Sequence, residues 1–254
     1  MPATDAPEVT ITNYVRAESD LQMRGYVEQM DCFGRFVHVR APYDVHHQVT
    51  VRADRDTLYS WGVFDLTTPL TVHLPEPDGR YQSLMTVSQD HSVEAHYSPA
   101  TVTLTTDDIG TRYVTLVVRT FADPDDEDDL ARAHALQDEI RTEQADIGVF
   151  EVPAWDQGQV EAMRATVSTL APLATDSSKA FGRKEELDPL YWAIGAATGW
   201  GGLPPSAALY EGGYPDQPNH FPIVPGWNYI VRMYRPRKEI LEGTWKFPVP
   251  VETP

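Results

Sequence analysis

The sequence predicts an α+β protein with an antiparallel, β-rich core that resembles a β-sandwich and carries several packed helices. Between residues 49 and 119, short runs of Val, Thr, Tyr and Leu alternate with turn signals such as Pro77-Asp78-Gly79, a pattern typical of strands joined by turns. Outside this stretch, apolar residues recur at helical spacing. With 254 residues, 41% of them hydrophobic, the chain can bury a sizeable core.

Strands are predicted at residues 59–66, 70–74, 81–88, 101–104 and 113–119. Asp78-Gly79 is a typical two-residue hairpin turn, so we expect it to join strands 70–74 and 81–88 as a hairpin. One further strand is predicted at residues 228–235, close to a C-terminal tail rich in proline.

The first two predicted helices have polar starts. Residues 13–30 form the first, with Asn13 as a polar cap. An acidic run at residues 123–129 lacks the glycine and the closing glutamate of a calcium loop, so we interpret it as the favourable acidic start of the second helix. One face of that helix carries Leu130, Ala133, Leu136 and Ile140.

Two more helices are predicted in the second half of the chain. One begins at the cap Asp156, where Gln159 completes a capping box, and ends at Pro172. The other begins at the cap Asp188 with Pro189 in its first turn, and it is apolar all round, which predicts burial.

The composition argues against some classes of binding partner. A net charge of −18 repels nucleic acid and anionic membrane surfaces, and no apolar run reaches the roughly 18 residues of a membrane span. The single cysteine, Cys32, excludes an internal disulfide. We therefore expect a soluble, cytoplasmic protein that binds neither nucleic acid nor membrane.

Several segments resemble a bacterial family known as domain of unknown function 1254. They are VRADRDTLYS at residues 51–60, GRYQS at 79–83, QDH at 89–91, GTRYV at 110–114 and RTF at 119–121. Residues 199–202 (GWGG) and 226–237 resemble its usual companion, domain of unknown function 1214. The resemblance implies an N-terminal α/β part over residues 1–150. It implies a helical segment followed by a C-terminal β part over residues 151–254.

The chain departs from the family pattern in its C-terminal part. Family members carry several additional strands between the positions that match Tyr210 and Phe221, where this chain has only ten residues. The resemblance therefore implies an abbreviated C-terminal β domain. Trp192 also stands where the family has a histidine, which argues against a polar role at that position.

Two clusters of residues suggest a site. In strand 228–235, Arg232 and Tyr234 share a face, and a buried guanidinium needs either an internal carboxylate, such as Asp56 or Asp65, or an anionic ligand. The internal partner is the commoner case, and Arg55 next to Asp56 can belong to the same network.

The second cluster is Asp90-His91, followed by His96. A histidine beside a carboxylate can be a general base, a metal ligand or a hydrogen-bonded structural residue, and the structural case is the commonest. The spacing of the two histidines gives little support to a metal site, and we expect neither metal nor cofactor.

The leading hypothesis is a small-molecule site for a carboxylated or otherwise anionic ligand, with possible acid-base chemistry. Its predicted members are the catalytic candidates Asp56, Asp90 and His91 and the ligand-binding candidates Arg55, Tyr59, Arg232 and Tyr234. The alternatives are a non-catalytic binding module and a structural protein with a buried arginine network. A strand edge left bare near residues 210–227, which are rich in aromatic residues and proline, also predicts a homodimer.

Overall fold

The computed structural model describes residues 6–42, 56–171, 179–180 and 182–197 of the chain. Its strands are β1 (Val37–His38), β2 (Thr57–Asp65), β3 (Leu70–Leu74), β4 (Gln82–Ser88), β5 (Val93–Tyr97), β6 (Ala100–Leu104), β7 (Tyr113–Phe121) and β8 (Arg141–Gln144). Its α-helices are α1 (Tyr14–Met30), α2 (Thr106–Ile109), α3 (Glu127–Asp138), α4 (Gln157–Ser168) and α5 (Pro189–Gly195). The α+β class predicted from the sequence is confirmed.

Two antiparallel sheets form the β core. The larger has the strand order β1-β2-β7-β4-β5, and the smaller has the order β6-β3-β8. Strand β7 is at the centre of the larger sheet and alternates its side chains between two buried layers. Val114 and Leu116 pack with the smaller sheet, whereas Val117 packs in the layer that contains Met23 of α1. Burial on both faces fits the consecutive apolar residues Leu116, Val117 and Val118 in the middle of β7.

Three of the helices pack against one another through apolar side chains. Residues of α1, α4 and α5 share one apolar cluster, which includes Val15, Val160 and Ile194. Asp126 caps α3 by accepting hydrogen bonds from two backbone N–H groups, so the acidic run does begin a helix. No helix in the described part of the chain is both long and apolar enough to cross a membrane.

The predicted hairpin at Asp78-Gly79 is wrong. Strand β3 pairs with β6 and β8, and β4 pairs with β5 and β7, so the two strands that flank the dipeptide lie in different sheets. Gly79 has a φ of +89°, which is typical of a turn. The turn therefore exists, but it passes the chain from one sheet to the other.

Two details of the predicted helices also need correction. Asp156 caps α4 as expected, but the side chain of Gln159 accepts a hydrogen bond from the backbone N–H of Val9, 3.0 Å away, instead of completing a capping box. In α5, Asp188 is the cap, yet Leu190 in the first turn is 56% exposed, so burial is complete only from Ala193 onward.

Candidate functional site

Four side chains form a line across one face of the larger sheet. Tyr59 of β2 is paired with Arg119 of β7, which is paired on its other side with Ser83 of β4, and Ser83 is paired with Tyr97 of β5. Directly paired residues project from the same face of a sheet, so their side chains are neighbours. We call Tyr59, Arg119, Ser83 and Tyr97 the Arg119 row.

The guanidinium at the centre of this row is buried. Arg119 is 2% exposed, and its neighbours Tyr59 and Ser83 are 7% and 3% exposed. Its Nη2 donates a hydrogen bond to Thr57 Oγ1 at 3.2 Å, and its Cζ lies 5.4 Å from the centroid of the Tyr59 ring. The second contact has cation–π geometry, which stabilises a guanidinium that has lost its water.

Aromatic rings and hydroxyl groups surround the row. The hydroxyl of Tyr81 donates to Ser83 Oγ at 2.9 Å, and the Tyr81 and Tyr97 rings meet edge to face with centroids 6.1 Å apart. On the other side, Tyr59 stacks on Trp61 with centroids 6.0 Å apart. Aromatic walls with a few well-placed polar groups are the usual lining of a small-molecule site.

Asp56 lies at the same end of the sheet as the row. It directly precedes β2, and its carbonyl oxygen accepts a hydrogen bond from the backbone N–H of Ala122 at 3.0 Å. Burial raises the pKa of its carboxyl group above the usual value. A carboxyl group with a raised pKa at this end of the sheet is a candidate for proton transfer.

Asp90 and His91 lie towards the other end of the strands. They belong to the loop that joins β4 to β5, just after Ser88. Ser88 is paired with Val114, whereas Ser83 is paired with Arg119, and five residues along a strand span about 17 Å. The predicted site residues that the structure describes therefore fall into two groups, with Asp56 and Tyr59 in one and Asp90 and His91 in the other.

His91 is completely buried, and its backbone adopts the left-handed conformation with a φ of +57°. Its N–H donates to the carbonyl oxygen of Ser88 at 2.9 Å, which closes the turn. Burial lowers the pKa of the imidazole to about 3, so the ring is neutral at physiological pH. This environment fits the structural interpretation of His91.

Asp90 connects the loop to two helices. Its carboxylate accepts hydrogen bonds from Arg16 of α1, with Nε at 2.8 Å and Nη2 at 2.5 Å. Its carbonyl oxygen accepts one from Trp192 Nε1 of α5 at 2.7 Å. His96 lies in β5 next to Tyr97, so it projects from the face opposite the Arg119 row.

The remaining predicted residues are distributed as follows. Arg55, Arg232 and Tyr234 lie outside the described residues. Asp65, which the sequence suggested as a partner for Arg232, accepts a hydrogen bond from Arg112 Nη2 at 2.7 Å. Among the described residues, no group of three or more His, Cys, Asp and Glu side chains could hold a metal ion.

Residues 33–103 match the family model described as "Protein of unknown function (DUF1254)". This part of the chain is therefore similar to DUF1254. Its structure is similar to the crystal structure of the VPA0106 protein from Vibrio parahaemolyticus, with a TM-score of 0.51 and 14% sequence identity over 77% of this chain and 67% of that one. At this identity the similarity shows the fold alone. No curated protein matches the chain.

The DUF1254 region extends from just before β1 to the end of β6. It contains three members of the Arg119 row, whereas Arg119 itself lies 16 residues beyond its last residue, 103. The companion domain of unknown function 1214 stays a prediction, since the segments that resemble it lie outside the described residues.

Sequence reasoning missed Arg119, Ser83 and Tyr97 as members of a site. Arg119 did carry a signal, because it interrupts the apolar strand YVTLVVRTF at residues 113–121. The rule that drew attention to Arg232, an arginine within a predicted strand, applies equally to Arg119. Ser83 and Tyr97 carried no comparable signal, because only the strand register brings them beside the guanidinium.

Proposed function

We propose that this protein binds a small anionic molecule at the Arg119 row, with a carboxylated ligand as the best fit. The observation that carries the proposal is a nearly fully buried guanidinium in line with two tyrosines and a serine on one sheet face. The planar fork of arginine matches a carboxylate with two parallel hydrogen bonds, which makes arginine well suited to such a ligand.

The electrostatics of the whole chain favour a local recognition site. A net charge of −18 repels anions at long range, so an anionic ligand must be held by close contacts. The buried guanidinium supplies the charge, and the hydroxyls of Tyr81 and Ser83 supply neutral hydrogen-bonding groups beside it. The rings of Tyr59 and Trp61 supply an apolar wall.

Acid-base chemistry at this site would depend on Asp56. Burial raises the pKa of its carboxyl group, which is the direction that suits a group exchanging a proton with a ligand. His91 is a poor candidate, because it is fully buried and lies at the other end of the strands. Binding without turnover uses the same row and is the alternative function.

The finer predictions about cellular context belong to this proposal as well. We propose a cytoplasmic protein because its one cysteine, Cys32, is buried and free, as is common in a reducing compartment. The high negative charge argues against nucleic acid and anionic membranes as partners. The homodimer stays a prediction, since the edge on which it depends lies outside the described residues.

Thermal denaturation with acetate, succinate, citrate or phosphate, at constant ionic strength, tests the proposal. We expect at least one of these anions to raise the Tm of the wild type, because a ligand at 100 times its Kd stabilises the folded state by about 2.7 kcal/mol. Arg119→Met should abolish the shift. Arg132→Met is the matched control, since the side chain of Arg132 is 54% exposed, and it should keep the shift.

A second pair of variants covers the case in which Arg119→Met fails to fold. Tyr59→Phe and Ser83→Ala remove only a hydroxyl group from the row, so they should keep the fold and weaken the anion-dependent shift in Tm. Equal shifts in the wild type and in every row variant would contradict the proposal, and so would the absence of any shift.

A further inference from the structure

Strand β1 is a two-residue edge strand that depends on side-chain contacts. It pairs with β2 alone, through Val37 with Trp61 and His38 with Ser60. His38 Nδ1 lies 2.7 Å from Ser60 Oγ, and the N–H of Val39 donates to the carbonyl oxygen of Tyr59 at 2.8 Å. So short a strand contributes little backbone pairing, and these contacts help to hold it in place.

Helix α3 covers the same edge and binds the residues after β1. Arg40 Nη1 donates to the carbonyl oxygen of His134 at 2.9 Å, and His134 Nε2 donates to the carbonyl oxygen of Arg40 at 2.7 Å. Gln137 Nε2 lies 3.3 Å from Val39 O and 3.2 Å from Tyr59 O. The segment 38–40 is therefore held between β2 and α3.

The contact between His38 and Ser60 depends on protonation. A neutral imidazole can accept the hydroxyl proton of Ser60 at Nδ1, whereas a protonated ring has donors at both nitrogens. Ser60 is completely buried, so its hydroxyl group finds no water as a replacement acceptor. Protonation of His38 therefore removes the nitrogen lone pair that accepts the hydroxyl proton of Ser60.

Two charged groups act on the His38 ring, and a second histidine lies near one of them. Arg40 on its own segment opposes a positive charge, whereas Asp138 on α3 favours one. His134 on α3 lies beside the same carboxylate. On the β2 side the facing group is the neutral Ser60. Arg40 also forms an ion pair with Asp138. The Asp138 carboxylate therefore attracts a protonated His38 ring less strongly than an unpaired carboxylate would.

We propose that His38 is a proton-sensitive latch, which fixes segment 38–40 between β2 and α3 when neutral and loosens it when protonated. The inference is independent of ligand binding at the Arg119 row. Its geometric basis is the contact between His38 Nδ1 and the buried Ser60 hydroxyl, together with the neighbouring guanidinium of Arg40.

The direction of the pH dependence follows from the environment of His38. Burial first, and then Arg40, lower its pKa below the usual 6.5 in the closed state. The open state therefore binds the proton more tightly than the closed state. The latch is fully effective above pH 6.5 and weakens as the pH falls from 6.5 to the pKa of the closed state. Asp138 stays ionised in that window, because the hydrogen bond from Arg40 lowers its pKa.

Amide hydrogen exchange of Val39, followed by NMR between pH 7.5 and 5, tests the proposal. We expect the protection factor of the Val39 amide to fall by at most about tenfold per pH unit below pH 6.5, since one proton is involved. The amide of Val117 in the central strand β7 is the internal control, and its protection factor should change much less. The imidazole of His38 should titrate below pH 6.5 in the same samples.

Two variants identify the titrating group. In His38→Asn the amide oxygen takes the place of Nδ1 and does not titrate, so the protection of Val39 should become independent of pH. In His134→Gln the amide nitrogen takes the place of Nε2, so the pH dependence should remain. Loss of the dependence in His134→Gln, its persistence in His38→Asn, or a wild-type protection factor that is flat across pH 6.5 would each overturn the proposal.

Discussion

Asp65 shows how this fold accommodates a buried carboxylate. Burial by itself raises the pKa of the group, but hydrogen bonds from Arg112 and Thr67 outweigh that cost and hold the pKa below its usual value. The nearest of these contacts are Thr67 Oγ1 at 2.5 Å and Arg112 Nη2 at 2.7 Å. Asp65 therefore remains ionised in the folded protein at neutral pH.

The lowered pKa of Asp65 predicts a contribution to acid unfolding. Because the folded-state pKa lies below the usual value of 3.8, this contribution to stability is complete well above pH 3.8 and is lost as the pH falls through the folded-state pKa. Urea unfolding at pH 5 and pH 3 should show a smaller loss of unfolding free energy in Asp65→Asn than in the wild type. Equal losses in the two proteins would rule out a role for Asp65.

Gly148 is required by the close packing around that carboxylate. It has a φ of +70°, and a Cβ atom at this position would lie 2.4 Å from Asp65 Oδ2. We expect Gly148→Ala to cost about 2 kcal/mol or more of unfolding free energy, from backbone strain and displacement of Asp65 together. Gly79→Ala is the matched control, since Gly79 also has a positive φ but a Cβ there meets open space.

The Gly79→Ala control should lose only the unfolding free energy that comes from backbone strain, about 1 to 2 kcal/mol. Urea unfolding of both variants measures the difference. A loss in Gly148→Ala no larger than that in Gly79→Ala would mean that the backbone near Asp65 relaxes without cost.

At the scale of elements, a buried ion pair joins α1 to α4. Arg164 donates to the two carboxylate oxygens of Glu18, from Nη2 at 2.7 Å and from Nε at 3.0 Å, and the hydroxyl of Tyr14 donates to Glu18 at 3.1 Å. Glu18 is 0% exposed. Removing one partner from such a pair leaves an uncompensated buried charge.

We therefore expect Arg164→Met to lose about 3 to 5 kcal/mol of unfolding free energy. The double variant Glu18→Gln, Arg164→Met removes the charge as well, so it should be more stable than Arg164→Met alone. Chemical unfolding of the wild type, both single variants and the double variant gives the coupling energy. Additive effects would show that the two side chains act independently.

The same elements show which parts of the fold a sequence reveals. The clean apolar spacing of α4, the acidic run at residues 123–129 and the caps Asp156 and Asp188 predicted helices that the structure confirms. The sequence of helix α1 has no clean apolar stripe, because the helix buries polar side chains such as Glu18 and Asp20. Each of these side chains has its own hydrogen-bond partners.

Strands β5 and β8 went unpredicted for a related reason. Their sequences, VEAHY and RTEQ, contain too few β-branched and aromatic residues to stand out, and both strands lie at sheet edges where polar side chains meet water. The hairpin at Asp78-Gly79 failed because a turn signal fixes only a local bend. The choice of pairing partner depends on contacts far away in the sequence.

For the whole molecule, the net charge of −18 predicts a dependence of stability on salt. Like charges repel one another in the compact state, and salt screens them, with a Debye length of about 8 Å at physiological ionic strength. We expect the Tm to rise between low salt and 1 M potassium chloride. An unchanged Tm would mean that the carboxylates are already neutralised by local ion pairs.

At this scale the α+β class and most of the layers were predictable, since burial of both sheet faces leaves an apolar signature. The candidate site was predictable only in part. Tyr59 is a member of the Arg119 row, and its role in binding stays a prediction. The row itself depends on the register of four strands, which a single sequence does not encode locally. His91 was expected in the same site because it follows a strand, and the length of that strand separates it from the row.

Native mass spectrometry of the protein purified from its own host tests the central claim most directly. The wild type and Arg132→Met should each carry a bound small molecule of constant mass, and Arg119→Met should lack it. Circular dichroism of the same samples confirms that the variants are folded. A wild type without any bound molecule, or the same bound mass in Arg119→Met, would contradict the assignment of the Arg119 row as an anion-binding site.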